Sequence, residues 1–174
     1  MPKIAFVNGS YQTMNKASIE IEDRGFQFAD GVYEVIALAN GVLIDMNFHL
    51  NRLNRSLKEI DIKWPMSRES VKAICKEVIR RNHLTQGSLY IQITRGVTAR
   101  DFSYPNEMKP SLVIYGRRSG NNQTSSKVQG IKVISTKDIR WGRCDIKSIS
   151  LLASVLAKTQ AKHKIAQEAW LLNE

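Results

Sequence analysis

The sequence predicts an α+β fold, and the order of its apolar patterns is the main reason. Stretches rich in apolar and β-branched residues, broken by turn residues, occupy 3–46 and 88–116. Between them, 49–60 and 67–79 repeat apolar side chains at helical spacing. Strands, then two helices, then strands again are typical of an α+β domain, and 174 residues are enough for a sizeable core.

Strands are predicted where apolar or β-branched residues alternate and end in turn residues. These segments are KIAFVNG (3–9), ASIEI (17–21), SLYIQITRG (88–96) and SLVIYG (111–116). The stretch VYEVIALANGVLIDM (32–46) predicts two strands joined as a hairpin, because Asn40 and Gly41 tolerate positive φ.

Two helices are predicted between these strands. In the first, apolar residues recur at Leu50, Leu53, Leu57 and Ile60. Ser67 is a suitable N-cap for the second helix. Its predicted apolar face consists of Val71, Ile74, Cys75, Val78 and Ile79.

The chain is predicted to form a complete small N-terminal domain (1–118), a polar linker (119–129) and the beginning of a larger C-terminal domain (130–174). In the last part, IKVIST (131–136) and QEAWLL (167–172) predict strands. The stretch 148–166 predicts a helix with Ile149, Leu152, Ala153 and Leu156 on one face. So few elements cannot close a core. We expect these elements to pack on the first domain or on another chain, or to be the N-terminal part of a larger domain.

Composition excludes several classes of protein. The net charge of +10 is divided equally between 1–120 and 121–174, without a basic tail or regularly interleaved aromatic residues, which argues against nucleic-acid binding as the main function. No apolar run approaches the ~20 residues of a membrane span, and the N-terminus lacks the pattern of a secretory signal. Cys75 and Cys144 form no disulfide or metal pattern, so a cytoplasmic location and no metal site are expected.

Lys147 is the most unusual polar residue, because it follows Ile146 and opens the mostly apolar run 149–157. The commoner interpretation of a lone lysine at a helix start is that its stem packs while its amine reaches water. The alternative is an amine kept near neutral by desolvation, which can attack a carbonyl and hold it as a Schiff base. Ser148 and Ser150 could add hydroxyls there, and nearby amides could face an anion.

Three further residues are ambiguous by themselves. Tyr33 lies in a predicted strand, where a tyrosine usually packs with its hydroxyl at the edge. Arg52 lies in a predicted helix, and such an arginine is most often a surface residue. Arg100 lies in a predicted loop beside Asp101, where a local ion pair is common.

Four blocks taken together resemble the class IV aminotransferases in order and spacing, over essentially the whole chain. The blocks are EDRGFQFADGVYEVI (22–36), HLNRL (49–53), YIQITRGVTARDFSYP (90–105) and DIRWGRCDIKSISLLASVLAK (138–158). Within that class the sequence is most similar to bacterial D-amino acid (D-alanine) aminotransferases. Branched-chain aminotransferases and aminodeoxychorismate lyases share the fold, but their sequences at the DGVYEV and RCDIKS motifs are less similar to this one.

The resemblance implies a fold-type IV architecture and a role for each candidate residue. Lys147 would hold pyridoxal 5′-phosphate as an internal aldimine and later move a proton at the substrate α-carbon. Arg52 would contact the cofactor phosphate, and Tyr33 would line the substrate side of the lysine. Arg100 would bind the substrate carboxylate across a homodimer interface, since a guanidinium fork fits a carboxylate.

The sequence departs from the family pattern in two places. D-amino acid enzymes usually carry a histidine two residues after the loop arginine, where this sequence has Phe102. A phenyl ring cannot hold a carboxylate, which shifts the expected substrate toward a bulkier or more apolar amino acid. Family chains also continue into a block T-E-G-x-x-x-N that supplies an acidic partner to the pyridine nitrogen, whereas this sequence ends at Glu174.

The expected function is transamination between a D-amino acid, such as D-alanine, and a 2-oxo acid. From the second departure we also expect a C-terminally shortened chain, which leaves open a non-catalytic role as a folding or interaction module. Branched-chain aminotransferase and aminodeoxychorismate lyase are the alternatives within the family. The expected cofactor is pyridoxal 5′-phosphate, and the expected partners are small-molecule substrates and a second copy of the chain.

Overall fold

The computed structural model describes residues 3–119 and 130–173. These residues separate into two compact units. Unit 1 contains 3–119 together with Ile146–Ile149, and unit 2 contains 130–145 and 150–173. The segment with Lys147 therefore belongs to unit 1. Apart from Ser119, the predicted linker 119–129 lies outside the described residues, and the domain limits at 118 and 130 stay a prediction.

Unit 1 is built around a six-stranded antiparallel sheet, which with its helices confirms the predicted α+β class. The strands lie in the order β2-β1-β6-β5-β3-β4. In the central pair, Gly31 lies opposite Thr94 and Leu38 opposite Gly87. The strands are β1 (Ile4–Val7), β2 (Ser10–Thr13), β3 (Gly31–Ala39), β4 (Val42–Leu43), β5 (Gly87–Thr94) and β6 (Ser111–Arg118).

Two Asn-Gly pairs make the tight hairpins of this sheet. Asn40 and Gly41 have φ of 50° and 77°, which confirms the predicted hairpin between β3 and β4. Asn8 and Gly9, with φ of 46° and 98°, turn the chain from β1 straight into β2. Positive φ at both central residues gives a turn whose twist matches that of the two strands.

The strand predicted at 17–21 is wrong. This segment makes no ladder, and its Ile19 and Ile21 are 41% and 79% exposed. The position beside β1 is already filled by β2, because the turn at Asn8 and Gly9 folds the chain back at once. A β-rich composition cannot form a strand where no neighbouring strand offers its hydrogen bonds.

The helices of unit 1 are α1 (Arg24–Phe28), α2 (Met46–Glu59) and α3 (Arg68–Arg81). Ser67 caps α3 as predicted, accepting a hydrogen bond from the Ser70 N–H at 3.1 Å. No helix in the described part of the chain is long and apolar enough to cross a bilayer. The core joins α2 and α3 to one face of the sheet through Val32, Ile36, Leu50, Leu53, Leu57, Val71, Cys75, Val78, Leu89, Ile91, Ile93, Leu112 and Ile114.

Unit 2 consists of the parallel strands β7 (Val133–Lys137) and β8 (Glu168–Leu172) with α4 (Leu152–His163) between them in the chain. Both strands were predicted. The helix predicted from 148 begins only at Leu152, and Ile149 lies in unit 1 instead of on its apolar face. The cause is backbone pairing, since Ser148 forms a bridge with Val32 that keeps this stretch extended.

Candidate functional site

The backbone of Lys147 is fixed by two elements of unit 1. Its carbonyl accepts the N–H of Tyr33, in β3, at 3.0 Å. Its own N–H donates to the hydroxyl of Ser56, a buried residue of α2, at 3.2 Å. The lysine therefore lies in an extended segment held by β3 and α2, and not at the helix start predicted from the sequence.

The chain on either side of the lysine runs alongside the start of β3. Ser148 bridges to Val32, and the Ile149 N–H donates to the Gly31 carbonyl at 3.1 Å. A Cβ at Gly31 would stand 2.7 Å from the Ile93 carbonyl oxygen and 3.2 Å from a methyl carbon of Ile149. Only glycine leaves room here, because the Ile93 carbonyl belongs to the backbone of the paired strand β5 and cannot give way.

The Lys147 amine rests on an aromatic face. Its Nζ lies 4.3 Å from the centroid of the Tyr33 ring. Tyr33 stacks on Tyr90 with centroids 5.6 Å apart, and Tyr90 packs on Tyr115 at 5.0 Å. A ring face attracts an ammonium and restricts where it points. The half-buried lysine therefore has a defined direction, unlike a surface lysine whose amine moves freely in water.

Tyr90, which packs between Tyr33 and Tyr115, stays uncharged at neutral pH. Burial raises the pKa of its phenol to about 12, and the neighbouring Tyr115 and Tyr33 act in the same direction. The Tyr90 hydroxyl donates to the side-chain oxygen of Gln92 at 2.7 Å. The ring stacked on Tyr33, that of Tyr90, is therefore neutral.

Arg52 lies one helical turn before Ser56 and is oriented by a buried carboxylate. Glu34, which is fully buried, accepts the Arg52 Nε at 2.6 Å and one Nη at 2.5 Å. His49 Nδ1 lies 2.7 Å from the same carboxylate. Hydrogen bonding to Glu34 raises the pKa of Arg52. The Arg52 side chain is still 42% exposed, so it can meet an anion while Glu34 accepts two of its N–H groups.

Three of the four predicted site residues, Lys147, Tyr33 and Arg52, are anchored on the same two elements, β3 and α2. Tyr33 and Glu34 are neighbours in β3, and Arg52 and Ser56 share one side of α2, so the lysine backbone and the arginine are anchored on the same two elements. The arrangement offers a nucleophilic amine, an oriented guanidinium and a phenol. Such a set can hold an aldehyde that also carries a phosphate or another anionic group.

Arg100 lies in another part of unit 1. It is exposed in the loop between β5 and β6, and its guanidinium carbon lies 4.7 Å from the centroid of the Phe28 ring. Phe102 is 87% exposed, and its ring centroid lies 5.6 Å from that of Phe28. The Asp101 carboxylate accepts the Ser103 N–H and hydroxyl, both at 3.0 Å, which lowers the pKa of Asp101. These bonds engage the Asp101 carboxylate within its own turn, where the sequence suggested a local ion pair with Arg100.

The sequence interpretation missed Glu34, His49 and Ser56. Glu34 did leave a signal, because it takes the inward phase of β3 between the buried Val32 and Ile36. A carboxylate at such a position needs a cationic or hydrogen-bonding partner. The partners His49 and Arg52 lie three residues apart on one helix, a spacing that brings side chains together.

Comparison with known proteins identifies a family and a fold. The family described as amino-transferase class IV matches residues 31–174. A D-alanine aminotransferase of Listeria monocytogenes is 40% identical over 168 residues, which are 95% of this chain and 58% of that protein. The chain therefore spans less than two thirds of this relative's length.

Solved structures show the same fold. The branched-chain amino acid aminotransferase of Escherichia coli superimposes with a TM-score of 0.86 at 20% identity, covering 99% of this chain and 60% of that one. A branched-chain amino acid aminotransferase from T.th., solved with pyridoxamine 5′-phosphate, gives a TM-score of 0.85 at 19% identity. The match with this second enzyme covers 100% of the present chain and 60% of the enzyme's chain. The fold predicted from the resemblance is thereby confirmed.

Proposed function

The chain belongs to the amino-transferase class IV family, and we propose that it serves the pyridoxal 5′-phosphate-dependent transfer of an amino group between a D-amino acid and a 2-oxo acid. The observation that carries this proposal is the Lys147 amine on the Tyr33 ring, with Arg52 oriented by Glu34 on the same two elements, β3 and α2. D-alanine is the first candidate substrate, because the relative at 40% identity is named a D-alanine aminotransferase. The branched-chain enzymes are only about 20% identical, which supports the fold alone.

The residues present fit this cofactor. Lys147 would hold its aldehyde carbon, and Arg52, whose side chain is 42% exposed, would hold its phosphate. When bound, the cofactor's pyridine ring supplies the electron sink that the protein side chains lack.

Lys147 is also the group that would move the proton. An amine released from the cofactor can accept the proton of the substrate α-carbon at Nζ and return it elsewhere. The Tyr33 ring beneath Nζ and the backbone bonds to β3 and α2 limit how far this amine travels. Position therefore contributes to the proposed role of this lysine.

Arg100 would bind the substrate carboxylate, and its neighbour Phe102 would bear on substrate choice. The guanidinium fork suits a carboxylate, whereas the phenyl ring of Phe102 adds apolar surface without a hydrogen bond. A bulky or apolar D-amino acid should therefore be accepted at least as well as D-alanine. We also propose a homodimer, in which Arg100 of one subunit serves the site of the other.

Reductive trapping tests the central part of the proposal. The purified chain is mixed with one equivalent of pyridoxal 5′-phosphate, reduced with borohydride and examined by intact mass and peptide mapping. We expect one adduct on the peptide containing Lys147. The adduct should be lost in Lys147→Ala and retained in Lys158→Ala, a control at an exposed lysine of α4. An adduct spread over several lysines, or its persistence in Lys147→Ala, would rule out a dedicated site.

The substrate assignment has its own test. The cofactor-loaded chain is mixed with D-alanine, D-phenylalanine, L-leucine and aminodeoxychorismate, and conversion of the aldehyde form to the amine form is followed by absorbance. The proposal expects conversion with the D-amino acids. Reaction with L-leucine alone would support the branched-chain alternative, and pyruvate release from aminodeoxychorismate would support the lyase. A trapped adduct with no reaction of any substrate would favour a non-catalytic role for this chain.

A further inference from the structure

The block EDRGFQFADG (22–31) contacts the loop that carries Arg100. Arg24, a buried residue of this block, donates hydrogen bonds to three consecutive backbone carbonyls. Its Nη1 reaches the carbonyls of Asp101 at 2.6 Å and Ser103 at 3.2 Å, and its Nη2 reaches that of Phe102 at 3.1 Å. One guanidinium thus fixes the backbone immediately after Arg100.

Asp30, at the other end of the block, holds Arg24 in place. Its carboxylate accepts the Arg24 Nε at 2.8 Å and two nitrogens of the buried Arg95 at 2.7 and 3.0 Å. Arg95 donates in turn to the carbonyls of Ile60 and Asp61 at 2.7 and 3.1 Å. The Arg100 loop is therefore tied through one carboxylate to the end of α2, and a lysine could not reproduce these forked contacts.

Phe28 reaches Arg100 itself. Its ring has the Arg100 guanidinium at 4.7 Å and the Arg24 guanidinium also at 4.7 Å, measured from guanidinium carbon to ring centroid. Arg100 is otherwise exposed, and a free arginine side chain has many rotamers. A ring face beneath the guanidinium removes much of that freedom and leaves its hydrogen-bonding edge available.

We propose that Phe28 and Arg24 are positioning residues for Arg100, Phe28 by orienting its guanidinium and Arg24 by fixing the loop that carries it. The inference rests on the proposed function, in which Arg100 binds a substrate carboxylate. An exposed guanidinium adds little to the stability of the fold. The contact with Phe28 should therefore be detected in the orientation and ligand affinity of Arg100 more than in stability.

The test follows Arg100 directly by NMR. The full chain is labelled with ¹⁵N-arginine, and the Arg100 Nε–Hε signal is identified by its loss in Arg100→Lys. A guanidinium stacked on a ring has this signal displaced by the ring current. Phe28→Leu should return the signal toward the position of a free arginine. It should also weaken the binding of pyruvate, the carboxylate probe, about three- to tenfold, the range expected for losing a cation–π contact.

Two matched variants serve as controls. Phe28→Tyr keeps the ring face and should bind pyruvate within about twofold of the unaltered chain. Phe26→Leu makes the same change on the same short helix at a side chain that is 69% exposed, and it should alter neither readout. If leucine at 28 unfolds the chain, Phe28→Met repeats the test with an unbranched apolar side chain.

The outcomes separate this inference from the proposed function. An unchanged Arg100 signal and unchanged pyruvate affinity in Phe28→Leu would overturn the positioning role. Equal losses in Phe28→Leu and Phe26→Leu would also overturn it, because the effect would then be general. If the unaltered chain does not bind pyruvate at Arg100, the proposed carboxylate role fails. The Arg100 signal in Phe28→Leu still decides whether Phe28 orients the guanidinium.

Discussion

At the scale of single residues, Glu34 shows how the site departs from an ordinary core. It occupies an inward position of β3 where an aliphatic side chain would pack without any polar requirement. The carboxylate is tolerated because Arg52 and His49 satisfy it. The carboxylate in turn orients Arg52, because two hydrogen bonds hold its guanidinium in one direction.

The first prediction concerns Glu34→Gln. We expect the free energy of unfolding to fall by about 2 kcal/mol, the value of hydrogen bonds to a charged group, and not more, because Arg52 retains access to water. The affinity for pyridoxal 5′-phosphate should fall as well, because Arg52 loses its direction. Urea unfolding and a cofactor titration by absorbance measure the two effects.

Glu77→Gln is the matched control for this prediction. Glu77 also contacts two arginines, Arg80 and Arg81, which lower its pKa to about 2, but its side chain is 27% exposed whereas Glu34 is fully buried. Water takes over its role readily, so both stability and cofactor affinity should be nearly unchanged. Equal effects of the two substitutions would show that burial of Glu34 does not matter.

At the scale of elements, the five-residue helix α1 depends on its surroundings. A helix this short cannot be stable alone. The Asp23 side chain caps it by accepting the Gly25 N–H at 2.8 Å and also accepts the Thr94 hydroxyl at 2.9 Å. Gly25 packs so closely on β5 that a Cβ there would lie 2.2 Å from the Thr94 methyl carbon.

Gly25→Ala should therefore destabilise the protein, although alanine is the better helix former. The clash with Thr94 is with a buried β-branched side chain that cannot move away, and overpacking of this kind costs about 2 kcal/mol. The gain in helix propensity, about 1 kcal/mol at most, offsets part of this cost and leaves a net loss of about 1 kcal/mol. Urea unfolding of the variant and the unaltered chain gives the difference.

The control for this prediction is Gly142→Ala. An added Cβ at Gly142 meets no atom within 4 Å, so stability should stay within about 0.5 kcal/mol of the unaltered chain. If Gly25→Ala proves as stable as Gly142→Ala, α1 has room to move away from β5. The close packing of the block 22–31 on β5 would then lose its importance.

At the scale of the whole molecule, the two units differ in how well their strands are protected. In unit 1, β5 is paired on both sides, and its Leu89, Ile91 and Ile93 are fully buried. In unit 2, β7 and β8 form a sheet of only two strands, and Trp170 is 63% exposed. A two-stranded sheet is marginal by itself in water.

Amide hydrogen exchange tests this difference. We expect amides of β5 to exchange roughly a hundredfold more slowly than those of β7, because they open only with the core of unit 1. Mass spectrometry of peptic fragments gives both rates in one sample, so solution conditions cannot cause the difference. Similar protection of the two strands would mean that the units open together as one cooperative body.

Much of the fold could be predicted from the sequence because helices, helix caps and tight turns depend mainly on residues that are close together in the chain. Helix periodicity defined α2 and α3, and the serine at 67 caps α3 through a bond within its own turn. The Asn40–Gly41 hairpin followed from backbone sterics alone. The segment 17–21 was misassigned because a strand requires a neighbour, and nothing within five residues indicates whether one is available.

The sequence by itself determined the α+β class, the main helices and the identity of the candidate residues, through local periodicity and a resemblance carried by short blocks. Only the tertiary structure decided that Lys147 lies in unit 1 on the Tyr33 ring, that Glu34 orients Arg52, and that Arg100 rests on Phe28. The physical reason is distance along the chain. Lys147 lies more than 90 residues from Ser56, and such contacts depend on how β3, α2 and the loops pack together.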